Sequence, residues 1–218
     1  MSRKIRIWYE GACYHLMGRG NRHCEIFKEP EDYKAFLLLM ESIKKKYPFI
    51  LHACCLMTNH FHLEVTTVSD PVWKIMHLLM NNYARNFNKK YGYDGHLFDS
   101  RYCSALIEND GYFMEVSRYI HLNPVKAKIV TDPLNYEYSS YGLFVNPDIN
   151  NPNINTVTNA IIRNLVDPTR VLSWFGDDPR KRYRMFVEGD TSHEDEELRI
   201  RKDMNENELW VPGNIKKS

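Results

Sequence analysis

The stretch TNHFHLEV, Thr58 to Val65, sets two histidines either side of one phenylalanine in a run of strand-forming residues. Side chains in a strand alternate between faces, so His60 and His62 emerge together while Phe61 and Leu63 point the other way, into the core. Imidazoles so placed stand roughly 6 to 7 Å apart, within reach of one divalent cation. The spacing equally suits two half-exposed polar residues on a solvated sheet face, and H-x-H alone does not separate the two readings. Farther along, Tyr119 and Asn123 lie four residues apart, one turn from each other on the same side of a helix. A phenol and a carboxamide there can meet the same cation. They can also be a packing tyrosine and an asparagine that ends a helix before Pro124.

The elements that must position these residues follow from the hydrophobic pattern. GACYHLMGRG alternates as a strand running into glycine-punctuated loop, and EPEDYKAFLLLMESIKKKY is an amphipathic helix with Pro30 near its start and lysines at its end. FILHACCLM and FHLEVTTV read as a hairpin joined through Thr58 and Asn59. PVWKIMHLLMNNYARNFNKKYG keeps the helical period and meets Gly92 after its basic end. RYCSALI is a further strand, and NDGYFMEVSRYIHLN a helix that Pro124 closes. The order β-α-β-β-α-β, then α, predicts the α+β, ferredoxin-like split β-α-β sandwich, an antiparallel sheet with its helices on one face.

Composition excludes some classes. The chain has 218 residues, 43% hydrophobic and 26% charged, an ordinary balance for a packed domain. Its apolar runs, such as Phe36 to Met40, fall far short of the roughly 20 residues that span a bilayer, and MSRKIRIWYEG lacks a signal-peptide core, so no membrane association and a cytoplasmic location are expected. Five cysteines without a CxxC pair argue against a disulfide framework or a thiolate zinc site. Charge is uneven: 18 Lys and Arg against 13 Asp and Glu up to Val130, and 11 against 15 beyond it. A mildly basic front and mildly acidic back favour a polyanionic partner for the front.

The segments YHLMGRGN, LHACCLMTNHFHLEV, GHLFDSRY, YIHLNPVKAKIV and YEYSSY, in that order from Tyr14 to about Tyr141, resemble those of the REP-associated tyrosine transposases, within the single-tyrosine HUH transposase family. VLSWFGDDPRKRYRMFVEG resembles the C-terminal extension of longer members. The resemblance implies a metal-dependent endonuclease and strand transferase that cuts single-stranded DNA beside palindromic hairpin repeats through a 5′-phosphotyrosine. It implies Tyr119 as nucleophile and His60, His62 and Asn123 as metal ligands. A mixed nitrogen and oxygen set suits Mg²⁺ or Mn²⁺, with Mn²⁺ the better match for imidazole. Thr58 stands where proline is commoner, and Glu64 where an apolar residue is commoner, which raises the question of what shares the metal-bearing face.

Around this site, GRGNR brings Arg19, Asn21 and Arg22 beside flexible glycines, and Arg101 begins the strand leading to the tyrosine helix. These residues can contact phosphate or read an unpaired base, or stand in solvent as most surface arginines do. Tyr83, Tyr91, Tyr93 and Tyr112 are rival nucleophiles, and His121 points round the helix from Tyr119. The domain reading is a catalytic domain over 1–145 and a helical extension with a charged tail over 146–218, acting as monomer or homodimer. A different class, a domesticated binder of hairpin DNA or RNA without turnover, stays open because ferredoxin-like sheets also serve as nucleic-acid platforms.

Overall fold

The computed structural model describes residues 7–146 and 157–189, with 200 and 202; the Asn- and Pro-rich linker beyond Asn146 and the charged tail expected from the sequence lie outside the described residues. In chain order come β1 (Cys13–Arg19), α1 (Pro30–Lys46), β2 (Phe49–Met57), β3 (His60–Thr67), α2 (Val72–Tyr91), β4 (Cys103–Ile107) and α3 (Asp110–Lys126). The sheet order is β2-β3-β1-β4 with every pair antiparallel. β3 therefore fills the gap in the β1-α1-β2 unit, which is the split arrangement the sequence order predicts.

Local chemistry sets the ends of these elements. Glu29 and Asp32 form a reciprocal capping box at the start of α1, with Pro30 in the first turn. Gly92 closes α2 at φ 59°, a left-handed position that suits glycine. Asn109 caps α3 by accepting from the Tyr112 N–H at 2.8 Å. Pro124 does not close that helix, contrary to expectation; α3 runs on to Lys126. A proline that late in a helix disturbs only the carbonyl four residues before it, and the turn still closes through Ala127 N–H to Asn123 O at 2.9 Å.

Helices cover both faces of the sheet, where one was expected. α1 and α2 bury the side bearing Phe61, Leu63 and Val65; the Phe36 and Phe61 rings, for example, lie 5.0 Å apart. α3 lies on the other side, with Phe113 edge-on to His52 at 5.0 Å. That helix carries its own apolar surface, with Phe113, Val116 and Ile120 all at 0% exposure, and can bury it only by packing on the sheet. The H-x-H face is thus a second core layer and not solvated.

The chain after α3 completes that layer. Residues 138–140 run along the outer edge of β2, with Leu56 N–H to Tyr138 O and Ser140 N–H to Cys54 O, both at 2.9 Å. α4 (Tyr141–Val145), α5 (Val157–Leu165), α6 (Thr169–Leu172) and α7 (Pro179–Glu188) follow. Their buried residues, including Tyr141, Phe144, Ile162 and Tyr183, belong to the same apolar cluster as the sheet. Among the described residues no helix is long and apolar enough to cross a membrane, and Cys13, Cys54, Cys55 and Cys103 are buried and form no disulfide.

Candidate functional site

His60 opens β3 directly opposite Arg19 of β1, and His62 sits opposite Met17 of β1 and Cys55 of β2. Both belong to central strands, whose paired backbones leave the side chains little freedom. The imidazole rings stand 5.0 Å apart, nearly perpendicular. His60 Nδ1 meets Asn59 Oδ1 at 2.7 Å; a carboxamide oxygen only accepts, so Nδ1 carries the proton and Nε2 keeps its lone pair. His62 Nδ1 meets His15 Nε2 at 2.9 Å. When His62 donates in that bond, its Nε2 is the free ligand atom and His15 carries its own proton on Nδ1, an atom buried without a hydrogen-bond partner.

Burial keeps these imidazoles neutral. Desolvation, helped by the neighbouring Arg19 charge, lowers the His60 pKa to about 4, and desolvation holds His62 well below the usual histidine value. Neutral rings are what a cation requires of its ligands.

α3 brings the remaining groups. Every residue from Tyr112 to Pro124 on that helix is buried except Tyr119 and Asn123, which are half-buried and face the histidines. The Tyr119 ring stands edge-on to His62 at 5.6 Å and to His15 at 5.8 Å. Asn123 Nδ2 donates to Tyr119 O at 2.8 Å, and its carboxamide also hydrogen-bonds His60. Lys126 Nζ lies 5.0 Å over the Tyr119 ring. All four residues expected to form the site therefore converge. Among the described residues no three His, Cys, Asp or Glu side chains are placed to hold a metal ion. A cation here would rest on the two imidazole Nε2 atoms and the Asn123 amide, a neutral set that leaves its charge intact and matches Mg²⁺ or Mn²⁺.

Glu64 shares the face but supplies no carboxylate. It is 0% exposed, neither oxygen has a hydrogen-bond partner among the described residues, and desolvation raises its pKa well above the normal range. A carboxylic acid in that setting holds its proton.

The GRGNR segment is stiff where the sequence suggested flexibility. A Cβ on Gly18 would lie 2.5 Å from the Phe61 ring, and one on Gly20 would lie 2.1 Å from the Cys24 carbonyl. Close packing, not conformational freedom, is what requires glycine there. Arg22 and His23 both hold positive φ, 52° and 60°, a strained pair beside the site. The segment is bound to the histidine hairpin by Gly20 N–H to Asn59 O at 2.8 Å. Arg19 pairs with Asp99 at 3.1 Å, Arg22 is exposed, and Arg101 lies apart from the histidines against α2.

Three of the four rival tyrosines are engaged elsewhere, and the fourth, Tyr93, is exposed in the loop after α2 with its ring edge-on to Phe87. Tyr83 donates to Ile26 O, Tyr91 to Asp32, and Tyr112 is 4% exposed. His121 faces away from the site, its Nδ1 2.6 Å from Tyr183 Oη and its Nε2 2.8 Å from Ser140 Oγ. His15 and Lys126 were not read from the sequence as site residues. The signal for Lys126 was its place three residues after Asn123 on one helix face; His15 needs the β1–β3 register to be seen.

A sequence model of the family described as "Transposase IS200 like" matches residues 9–123, more than half of the chain. No curated protein matches. Among solved structures, a REP-associated tyrosine transposase bound to a REP hairpin is similar at 20% identity with TM-score 0.57, over 66% of this chain and 86% of that one. A protein described as a "putative transposase from deinococcus radiodurans r1" is similar at 16% identity with TM-score 0.39, over 59% of this chain and 92% of that one.

Proposed function

Because the chain belongs to the IS200-like transposase family, we propose that it cleaves and rejoins single-stranded DNA beside hairpin repeats, with Tyr119 as the nucleophile. The observation that carries this reading is the convergence of Tyr119 and Asn123 from α3 on His60 and His62 from β3. A hairpin as partner is supported by the solved relative, which holds one.

In the cleavage step the Tyr119 oxygen attacks the phosphorus, the bond to the 3′ oxygen breaks, and the phenol proton ends on that oxygen. The products are a 5′-phosphotyrosine and a free 3′-hydroxyl. Attack by the hydroxyl of a second DNA end reverses the bonds and joins strands without ATP. His60, His62 and Asn123 would hold a divalent cation, which would supply Lewis-acid stabilisation of the phosphate oxygens. Asn123 is held for that task by its bond to the Tyr119 carbonyl, and Lys126 keeps a positive charge over the Tyr119 ring, which favours the phenolate. Arg19, Asn21, Arg22 and Arg101 supply contacts to phosphate and unpaired bases.

The test is a denaturing-gel assay for a covalent protein–DNA adduct on hairpin oligonucleotides copied from the repeats beside the gene. Wild-type protein forms the adduct with Mg²⁺ or Mn²⁺, and Tyr119→Phe, which deletes one oxygen, forms none while binding the hairpin as before. An adduct that persists in Tyr119→Phe overturns the site. Hairpin binding without any adduct in the wild type would instead support the non-catalytic binder.

A further inference from the structure

Outside the site, α2 and residues 95–102 enclose a groove of about 460 Å³, within the range of small-molecule sites. The α2 side presents Trp73, Met76, His77, Met80, Asn81 and Ala84, one stripe at helical spacing. Met76, Met80, Leu97 and Phe98 are buried and make an apolar floor. The rim is polar and aromatic: Trp73 is 54% exposed, and His77, Asn81, His96 and Arg101 are exposed as well. Asn81 Nδ2 lies 3.2 and 3.1 Å from the two ring nitrogens of His77, so these two polar groups of the rim sit together. The lining contains one guanidinium and two imidazoles and no carboxylate.

We infer that this groove docks an unpaired base flanking the DNA hairpin, with the base against Trp73 and its phosphate on Arg101. The inference rests on the proposed DNA-cleaving function and adds where the flank is read. An exposed indole beside an apolar floor is a stacking platform, and a rim of positive and neutral donors accepts a phosphate chain. The groove is also tied to the cleavage site. Its 95–102 wall is bonded to the segment facing His60 through Asn21 N–H to Leu97 O at 2.8 Å, Asp99 N–H to Arg19 O at 3.1 Å and the Arg19–Asp99 ion pair. Arg19 lies directly across from His60. A base seated in the groove therefore stands at a fixed distance from the scissile phosphate, which turns base recognition into a choice of cleavage position.

The probes are hairpin oligonucleotides from the repeats beside the gene, with and without an unpaired flank, and a series carrying one abasic position at a time. Fluorescence anisotropy should show wild-type affinity falling roughly tenfold for an abasic lesion at one flank position. Trp73→Ala should lose about the same factor on the intact flanked hairpin, become indifferent to that lesion, and bind the blunt hairpin as wild type does. Arg101→Ala, at a second exposed position, should weaken flanked binding with a shallower salt dependence. A 5-iodouracil at the sensitive position should cross-link to the peptide containing Trp73. Unchanged flanked binding by Trp73→Ala, with cross-links mapping elsewhere and the Tyr119 adduct still forming, overturns the inference and leaves the function standing. Absence of adduct and of hairpin binding in the wild type overturns both. A dimer of the free protein that Trp73→Ala dissolves would assign the groove to a second copy and overturn the inference as well.

Discussion

His15 shows how much of a site can sit behind its ligands. Its only role in view is to hold His62, so His15→Phe keeps the ring's bulk and removes the acceptor for His62 Nδ1. Mn²⁺ affinity measured by electron paramagnetic resonance without DNA should fall about 10- to 100-fold, with hairpin affinity unchanged. Unaltered Mn²⁺ binding would reduce His15 to packing. The nearness of His60 to His62 and of Tyr119 to Asn123 was legible because the first two share a strand period and the second two a helix turn; that the two pairs meet was implied only by the family resemblance. His15 was not, since a contact across 47 positions depends on strand register, which local spacing does not encode. Glu64 drew notice as an oddity, but its neutrality follows only from the second helical layer above it.

At the level of elements, α3 is the part that must not move, because it carries Tyr119 and Asn123 towards a sheet that carries the histidines. Its far side is gripped by a buried chain of polar groups: Ser117 and His121 on α3, Tyr183 on α7, and Ser140 beside β2. Tyr183→Phe leaves His121 Nδ1 and Ser117 Oγ short of a partner in a site with no water access. Thermal unfolding should show a loss of about 1–3 kcal/mol, and single-turnover cleavage should slow more than hairpin binding weakens. Equal loss in both would mean that α7 supports the fold without tuning the helix. The existence and order of these elements were readable from period and caps. Pro124 was misread as a terminus because its ring disturbs only the carbonyl four residues before it, while the residues after it still donate back and close a last turn. The layer on the histidine face was missed because a polar strand pattern cannot tell water from a helix with polar partners.

For the molecule as a whole, acidity should act on stability in two opposed ways. Burial lowers the pKa of His52 to about 4 and of His121 to about 3. Below the unfolded value of about 6.5 the unfolded chain binds protons that the folded chain refuses, so stability drops on acidification by about 1.4 kcal/mol per pH unit for each. Glu64 has the reverse sign: folded it keeps its proton, and above the unfolded carboxyl value of about 4.5 the unfolded chain loses it, so stability drops as pH rises. His15, His60 and His62, buried and neutral as well, act in the same direction, so the histidines outweigh one carboxyl on the acid side, and Glu64 sets the slope only once the unfolded histidines have lost their protons. Calorimetry of chelator-treated protein should give a maximum at about pH 7. Glu64→Gln should flatten the decline on the alkaline side of that maximum and leave the acid limb in place. An unchanged alkaline limb would show that Glu64 is ionised in the folded protein.

The pairing of β2 with later chain has a consequence for synthesis on the ribosome. β2 is an apolar strand whose free edge is covered by later chain: residues 138–140, the Tyr136 hydroxyl on Leu56 O, and Asp167, whose N–H donates to Leu51 O at 2.8 Å. Asp167 lies 116 residues after Leu51, so at ~5–20 residues per second the bare edge persists for roughly 6–20 s of translation. During that time FILHACCLM offers unpaired backbone to any neighbouring strand, a template for self-association. A fragment stopping at Pro133 should accordingly scatter light and sediment in proportion to its concentration, whereas the full chain stays dispersed. A dispersed, folded fragment would mean that the edge protects itself. Nascent copies of this protein thus depend on spacing between ribosomes, or on a chaperone, until the last part of the chain closes over the strand that pairs with the histidines.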